Sequence, residues 1–457
     1  MIPISELNWS YLEIIYLLII FVLGFLTTYY LLPYIIKFMK KKKFVGYDIH
    51  KNSRPEIAES GGISIIIGFT VSSLLLMVFF PIFLEEIIIF LITVLLAGTI
   101  GFIDDRVKLK SRYKILLSIF SGSAIFLANF FGFITISSPI FPILDRTRLT
   151  FIYPFLIPIL VAIFANTVNM LEGYNGEGSG TCLIAVCFLL ICAIIWNSAQ
   201  GVIFSIPVIA VLIPFFLFNK FPAKIFPGDI GTLSMGAMIA CIMLFGSLEV
   251  ATFCAFLIHI FNSFYVIYSV RGFLESDKIR EGKDDIILLE DDRIKASDQK
   301  GSALTLPRLI LARGPMKEPD LVKNFFIIST ICGTFAILSV LFTLLSSGII
   351  NLAFFLLLFA ILMVPVAYLL VKFPRVRGII VLMMILLIAG IVFFFLIEFV
   401  ILPFPFPEIN LGGIMIPINL IVILILGVAG LIGWYYITIK YFWSQINKMK
   451  EEELKKS

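Results

Sequence analysis

The sequence has few charged residues and almost no histidine. Of its 457 residues only 14% are Asp, Glu, Lys or Arg and two are His, whereas 60% are hydrophobic and 47 are Phe. Soluble domains carry about 25% charged and about 45–50% apolar residues, so this composition excludes a soluble globular protein. Apolar runs of about twenty residues recur along the chain, which is typical of a helical integral membrane protein. Because the net charge is only +5, we expect no nucleic-acid partner.

Cysteine is also scarce, and its spacing excludes two common kinds of site. All six cysteines fall within apolar segments, and none forms a Cys-x-x-Cys pair. The sequence therefore indicates neither a zinc site nor a disulfide framework. We expect these side chains to behave as small buried apolar groups.

Thirteen apolar segments predict an all-α, polytopic transmembrane helical bundle. They are 11–38, 61–82, 86–103, 113–131, 151–171, 181–197, 201–218, 231–247, 249–270, 324–345, 349–371, 378–402 and 416–439.

The distribution of basic residues predicts the orientation of these spans. With the N-terminus outside, 33 of the 35 Lys and Arg residues lie in loops on the inner side, and only Arg146 and Arg148 lie outside. Inner loops of membrane proteins are enriched in Lys and Arg, so we expect the inner side to be cytosolic. The cations at 37–43 follow the first span instead of preceding it, which favours a retained helix over a cleaved signal.

Polar clusters lie at span ends on the predicted cytosolic side. Asp104 and Asp105 close the third span, and five Lys or Arg residues follow within nine positions. Paired carboxylates beside cations suit a site for Mg²⁺ and phosphate. A charged helix end explains the same pattern without any ligand.

Two further clusters follow the fifth and seventh spans. Asn166 and Asn169 share one helix face, and buried amides are costly in lipid, so we expect them to face the bundle interior. The glycine-rich turn 173–180 allows close backbone approach to a ligand, although a flexible turn with asparagine caps is an alternative. Asp229 follows Pro-Gly at a helix start, where an N-cap is the simpler role for an isolated motif.

The fourth cluster, 46–62, contains His50, which we interpret as solvated among lysines. The long loop 271–323 becomes apolar from Ser302 onward, and we expect this half to dock on the membrane face. All these elements fall on one side of the predicted topology. Carboxylates, amides, cations and a glycine-rich turn together fit phosphoryl transfer from a nucleotide donor.

The ordered motifs resemble those of a known family, the polyprenyl-phosphate sugar-1-phosphate transferases. These enzymes move a phosphosugar from a UDP-sugar to a lipid phosphate. The elements closest to the eukaryotic and archaeal branch, which transfers N-acetylglucosamine-1-phosphate to dolichyl phosphate, are Gly46-Tyr-Asp48-Ile-His-Lys51, Gly173-Tyr-Asn175-Gly176 and Phe226-Pro-Gly-Asp229.

The resemblance implies a magnesium-dependent reaction, with Mn²⁺ as an alternative ion. It implies that Asn169 and Asp229 hold the metal against the donor pyrophosphate. Asp104 and Asp105 then lie beside the lipid phosphate, and Lys114 neutralises pyrophosphate charge. Phosphoryl transfer depends mainly on positioning and charge stabilisation. We therefore favour direct attack by the lipid phosphate over a double displacement through an aspartate.

The resemblance also assigns the substrate pocket. It implies that Asn175 reads the uracil edge and that Phe226 stacks on the ring. The backbone near Ile49 and Glu59, together with Gly173, completes the uridine pocket. The family's eukaryotic Arg-x-His-Arg-like sugar element is not intact in this chain. Arg293 is its nearest counterpart, which leaves other UDP-sugar donors open.

A comparison with the bacterial branch separates this chain from a peptidoglycan role. The bacterial Asp-Gly-x-Asp pattern is replaced by Glu172-Gly-Tyr-Asn175, and the long loop contains no histidine. We expect instead the release of UMP and the formation of a polyprenyl- or dolichyl-linked sugar pyrophosphate. The partners implied are a UDP-sugar, the lipid phosphate and the membrane, and a homodimer is left open.

The family core has about ten spans, which predicts two parts in this chain. Residues 1–345, with the loop 271–323, form the catalytic transmembrane core. Residues 346–457 add three helices and a short cytosolic tail. The alternatives are a secondary transporter, which favours ionisable groups near mid-span, and a lipid-binding scaffold without chemistry. We expect an integral protein of the cell membrane in a prokaryote, or of the endoplasmic reticulum in a eukaryote.

Overall fold

A computed structural model describes residues 11–142, 145–146, 153–270, 284–396, 408–411 and 414–456. Its helices are α1 (Tyr11–Lys41), α2 (Gly62–Phe79), α3 (Leu84–Val107), α4 (Ser111–Phe130), α5 (Tyr153–Leu171), α6 (Glu177–Ile195), α7 (Ala199–Asn219), α8 (Gly228–Gly246), α9 (Glu249–Ala255), α10 (Leu257–Val270), α11 (Leu306–Leu311), α12 (Glu318–Ser346), α13 (Leu352–Lys372), α14 (Pro374–Leu396) and α15 (Ile418–Lys456). The strands are β1 (Val45–Tyr47), β2 (Glu56–Ala58), β3 (Ile140–Phe141), β4 (Asp145–Arg146), β5 (Ile286–Leu288), β6 (Arg293–Ala296), β7 (Met316–Lys317), β8 (Glu408–Leu411) and β9 (Ile414–Pro417).

The described helices confirm the all-α polytopic bundle. Among the described residues, eleven helices are long and apolar enough to cross a membrane, and each corresponds to one predicted span. The predicted span 249–270 is instead two helices, α9 and α10, bent by 67°. The chain leaves helical geometry at Phe256, whose ring stacks on His259 one turn later. The predicted span 378–402 corresponds to α14, and residues 397–402 lie outside the described part.

Two apolar clusters hold the bundle together. The first joins α1 to α9, and the second gathers α10, α11, α12, α14 and α15. Helix α8 lies at the centre and is almost entirely buried, whereas Val366 is the one buried residue among those described in α13. A helix that is apolar all round suits either a buried position or a lipid-facing one, and these two helices represent the two cases.

Two small β elements lie at the end of the bundle where the site is found. The first is the antiparallel hairpin β1–β2. The second is the loop module, residues 284–317, in which β5, β6 and β7 form an antiparallel sheet beside α11. Every residue of α11 is buried. The apolar half of the long loop therefore packs against protein, in the same cluster as α10 and α12.

Candidate active site

Three side chains surround the ammonium group of Lys114, and all four residues lie at helix ends. Lys114 Nζ lies 2.6 Å from Asp104 Oδ2 and 2.7 Å from Asp229 Oδ2. It also donates to Asn169 Oδ1 at 3.2 Å, while Asn169 Nδ2 donates to Asp229 Oδ1. Lys114 is 4% exposed. The cluster is thus a cation enclosed by oxygens from α3, α5 and α8.

Asp105 joins two elements of the site and does not point into it. Its Oδ1 accepts the backbone N–H of Asp229 at 2.7 Å, and its Oδ2 accepts from Ser60 Oγ at 2.9 Å. Helices α3 and α8 approach closely here, since a Cβ added to Gly101 would lie 2.4 Å from Asp229 O. Gly228 has φ +66°, a conformation that glycine adopts without strain. Asp105 therefore fixes where α8 begins.

The interpretation of Asp229 as an N-cap is wrong. The N-terminus of α8 carries no side-chain cap hydrogen bond. Its first-turn carboxylate is instead engaged by Lys114 and Asn169. Partners 115 and 60 residues away thus compete successfully with the local cap.

A cavity of about 290 Å³ opens beside the cluster. Eight of the eleven predicted site residues line it: Ile49, Glu59, Lys114, Asn169, Gly173, Asn175, Phe226 and Asp229. Asp104 and Asp105 lie behind this lining, bound to Lys114 and to the Asp229 backbone. Arg293 is not among the lining residues. Its half-exposed side chain pairs with Asp291 at 2.5 Å.

Asn175 is held by two carboxylates that the sequence analysis did not single out. Its Nδ2 donates to Asp48 Oδ2 at 3.0 Å and to Glu318 Oε2 at 3.4 Å. Its backbone N–H donates to Glu318 Oε1 at 2.7 Å. Because carboxylates only accept, the amide nitrogen must face them. Asn175 Oδ1 has no hydrogen-bond partner among the described residues, and this side chain lines the cavity.

The interpretation of His50 as solvated is wrong. His50 is 4% exposed, and its ring stacks on Tyr174 with centroids 4.2 Å apart. Ligand atoms of Asp48, His50 and Glu318 lie within 4.8 Å of one another, a spacing that could hold a metal ion. Lys51 pairs with Asp48 and lies 4.0 Å from Glu318. The positive charge beside these two carboxylates is therefore already supplied by a lysine. No local sequence pattern joins Glu318 to a hairpin so distant in the chain.

The glycine-rich turn is tied down by two buried glutamates. Glu177 Oε2 accepts the backbone N–H groups of Gly173 and Tyr174 at 3.1 and 3.2 Å. Glu172 Oε2 accepts the N–H of Gly178 at 2.7 Å. Burial raises the pKa of the Glu172 carboxyl to about 8. These bonds make the alternative of a flexible turn wrong.

The oxygen set of the four-residue cluster fits a magnesium ion. Mg²⁺ is bound by one or two carboxylates together with substrate phosphate oxygens. Asp104, Asp229 and the Asn169 carbonyl direct oxygens toward one point, which the Lys114 ammonium occupies in this arrangement. These oxygens can therefore bind either a metal ion or the ammonium group of Lys114, and both kinds of cation suit a site for a pyrophosphate.

The fold and the site together define a polytopic membrane protein with a buried acidic and cationic centre at one end of its helical bundle. Residues 87–247, which include all four cluster residues, match the model of glycosyl transferase family 4. A Methanocaldococcus jannaschii protein whose name assigns it to glycosyltransferases is 30% identical over 318 residues, 69% of this chain and 94% of that protein. The chain belongs to glycosyl transferase family 4, which confirms the resemblance and favours an enzyme over the transporter alternative.

Two further relatives carry more specific names. A Sulfolobus acidocaldarius protein is 30% identical over 331 residues, covering 70% of this chain and 94% of the relative. Its name assigns it to the UDP-N-acetylglucosamine–dolichyl-phosphate N-acetylglucosaminephosphotransferases. A phospho-N-acetylmuramoyl-pentapeptide-transferase of Streptococcus uberis is 30% identical over 286 residues, 56% of this chain and 81% of that enzyme.

Proposed function

We propose that the protein transfers N-acetylglucosamine-1-phosphate from UDP-N-acetylglucosamine to a polyprenyl or dolichyl phosphate and releases UMP. The observation that carries this proposal is the Asp104–Lys114–Asn169–Asp229 cluster at the edge of the cavity. A pyrophosphate donor needs such a concentration of cationic and metal-binding groups. The names of the archaeal relatives support the choice of donor and acceptor.

The reaction needs little covalent participation from the protein. An oxygen of the lipid phosphate attacks the sugar-linked phosphorus, and the bond from that phosphorus to the bridging oxygen breaks. UMP leaves with the bridging oxygen, and the sugar pyrophosphate remains on the lipid. Bound Mg²⁺, held by Asn169 and Asp229, would supply neutralisation of the pyrophosphate charge. Lys114 stabilises the charge that develops on the leaving group, a contribution that grows in a site shielded from water.

The orientation of Asn175 supports a uracil base. Its Nδ2 is engaged by Asp48 and Glu318, so its Oδ1 offers an acceptor to the cavity. Uracil carries an N–H donor at N3, whereas cytosine carries an acceptor at the same position. A buried acceptor that faces another acceptor is penalised by lost hydrogen bonding. The cavity wall therefore favours UDP-sugars over CDP-sugars.

A product assay tests the reaction itself. Purified protein is supplied with labelled UDP-N-acetylglucosamine, polyprenyl phosphate and Mg²⁺, and UMP and glycolipid are followed together. We expect equal amounts of both products. Asp229→Asn should abolish turnover, with the exposed-site variant Asp291→Asn as its matched control. Full activity of Asp229→Asn, or UMP release without glycolipid, would contradict the proposal.

The sugar is the least constrained part of the donor, because Arg293 lies outside the cavity lining. A panel of UDP-sugars under the same conditions separates the donors. We expect N-acetylglucosamine to give the highest kcat/KM. A higher value for another UDP-sugar would retain the reaction class and change the donor.

We further propose that the site faces the cytosol and that the N-terminus lies outside. The support is the placement of 33 of 35 basic residues in loops on one side. Single cysteines placed at Asp291 and at Arg146 test this orientation with a membrane-impermeant thiol reagent. In intact cells we expect labelling at position 146 only. Labelling at position 291 instead would show that the protein has the opposite orientation.

A further inference from the structure

Residues 434–449 of the C-terminal helix α15 present one buried face. The helix has 39 residues and is about 58 Å long at 1.5 Å per residue. The hydrocarbon core of a bilayer is only about 30 Å thick, so much of the helix extends beyond it. Buried side chains recur along it every three or four residues, at Trp434, Thr438, Phe442, Ile446 and Met449, and Tyr435 is buried beside Trp434. The short cytosolic tail that the sequence analysis placed after the last span continues α15 as far as Lys456.

The first half of this face is anchored on the membrane helices. The Trp434 ring stacks on Tyr265 of α10, with centroids 5.0 Å apart and planes 19° apart. Its Nε1 donates to the backbone oxygen of Leu382 in α14 at 3.0 Å. Helix α15 is therefore fixed to the bundle before it reaches the loop module.

The second half packs on the loop module through a buried arginine. The guanidinium of Arg308 lies 4.6 Å from the ring centroid of Phe442. The same guanidinium donates to the backbone oxygens of Ser297, Gln299 and Ser302 at 2.8–3.0 Å. Arg308 thus connects the fold of the module to the aromatic ring on α15.

Two polar contacts extend this interface along the helix. Arg313 Nε donates to Gln445 Oε1 at 2.8 Å. Lys450 Nζ lies 2.7 Å from Asp298 Oδ2, and both side chains are about half exposed. The module is consequently held at several separate points along α15.

The loop module in turn touches the hairpin that lines the cavity. Asn52 donates its backbone N–H and its Nδ2 to Asp292 Oδ1, each at 2.8 Å. Its Nδ2 also approaches the backbone oxygens of Leu289 and Glu290. The residues just before Asn52, from Tyr47 to His50, line the cavity. Displacement of the module would therefore move one cavity wall.

We propose that α15 is a positioning element for the active site, and that Phe442, Gln445 and Lys450 are positioning residues that act through the loop module. The helix braces the module, and the module holds the 47–52 segment in place. Loss of the brace loosens the donor pocket, while the carboxylate–lysine centre stays intact on α3, α4, α5 and α8. The kinetic part of this inference rests on the proposed function.

The test compares Phe442→Ala with Tyr436→Ala in the full chain. Tyr436 is a similar ring on the same helix, but it is 66% exposed on the opposite side. Hydrogen exchange of residues 284–305 and KM for UDP-N-acetylglucosamine are measured for both variants. In Phe442→Ala we expect exchange to accelerate at least tenfold and KM to rise about tenfold, with kcat within twofold of the parent. Tyr436→Ala should match the parent, and Phe442→Tyr should restore both values.

Unchanged exchange in Phe442→Ala would overturn the inference, as would a loss of kcat without a rise in KM. If Phe442→Ala does not fold, the exposed pair gives a second test. Asp298→Lys and Lys450→Asp should each accelerate exchange in the module, and the double variant should restore it. Absence of that restoration would also overturn the inference. Exchange requires no catalysis, so a parent protein without transferase activity contradicts the proposed function alone.

Discussion

At the residue scale, the site depends on charged groups that fix one another. Lys114 is bound by Asp104 and Asp229, so none of these side chains keeps its position independently. The helix-end motif predicted a site role for Asp104, whereas the roles of Lys114 and Asp229 were implied only by the family resemblance. It missed Asp48 and Glu318 because their partner, Asn175, lies 127 and 143 residues away. Such long-range pairs leave no local spacing to detect.

Asp48→Asn tests how the amide of Asn175 is oriented. The new amide can donate as well as accept, so only Glu318 still requires Asn175 Nδ2 to face it, and the preference for presenting Oδ1 to the cavity weakens. Loss of one hydrogen bond to a charged group is worth about 1.5–3 kcal/mol. We expect KM for UDP-N-acetylglucosamine to rise at least tenfold, and inhibition by UMP relative to CMP to weaken. Unchanged UMP selectivity would contradict the assignment, and Glu56→Gln, an exposed change on the same hairpin, is the control.

Glu172→Gln tests the buried carboxyl of the turn. Its pKa of about 8 lies above the usual value near 4.5, so the folded state binds a proton that the unfolded state releases. The native glutamate therefore lowers stability progressively as the pH rises from about 4.5 to 8. We expect the Tm advantage of Glu172→Gln over the parent to grow between pH 5 and pH 8. A Tm difference that does not change with pH would contradict this expectation. The exposed variant Glu290→Gln is the control, and its Tm should match that of the parent.

At the element scale, apolar length and charge placement predict most helices, but not how they approach one another. The bend between α9 and α10 was not predicted, because both halves are equally apolar and no proline or glycine separates them. The close contact of α3 with α8 depends on Gly101, whose sequence neighbours carry no sign of it. Sequence indicates which segments are helices, whereas packing decides their ends and bends.

Gly101→Ala tests the contact between α3 and α8. The added methyl would lie 2.4 Å from the backbone oxygen of Asp229, so one helix must shift. Overpacking of this kind costs about 1–3 kcal/mol. We expect a lower Tm and a loss of kcat of at least tenfold, because Asp229 moves with α8. Gly390→Ala, which meets no atom within 4 Å, is the control and should match the parent.

At the scale of the whole molecule, the bundle places chemistry at one end and apolar surface elsewhere. The cation distribution predicted that the four polar clusters share a side, and the structure brings residues of all four into one cavity lining. The cluster of Asp104 and Asp105 contributes Lys114 to this lining, and the two aspartates lie directly behind it. The division into a core of 1–345 and an addition of 346–457 stays a prediction. The contacts of α15 with the loop module connect the two parts.

We propose that Asn169 and Asp229, supported by Asp104, hold a single divalent cation. Electron paramagnetic resonance of Mn²⁺ bound to the purified protein in the presence of UDP measures how many ions bind. We expect one ion per chain, loss of that ion in Asp229→Asn, and its retention in Glu318→Gln. Retention in Asp229→Asn with loss in Glu318→Gln would place the metal at the Asp48–His50–Glu318 corner and show that the assignment to Asn169 and Asp229 is wrong.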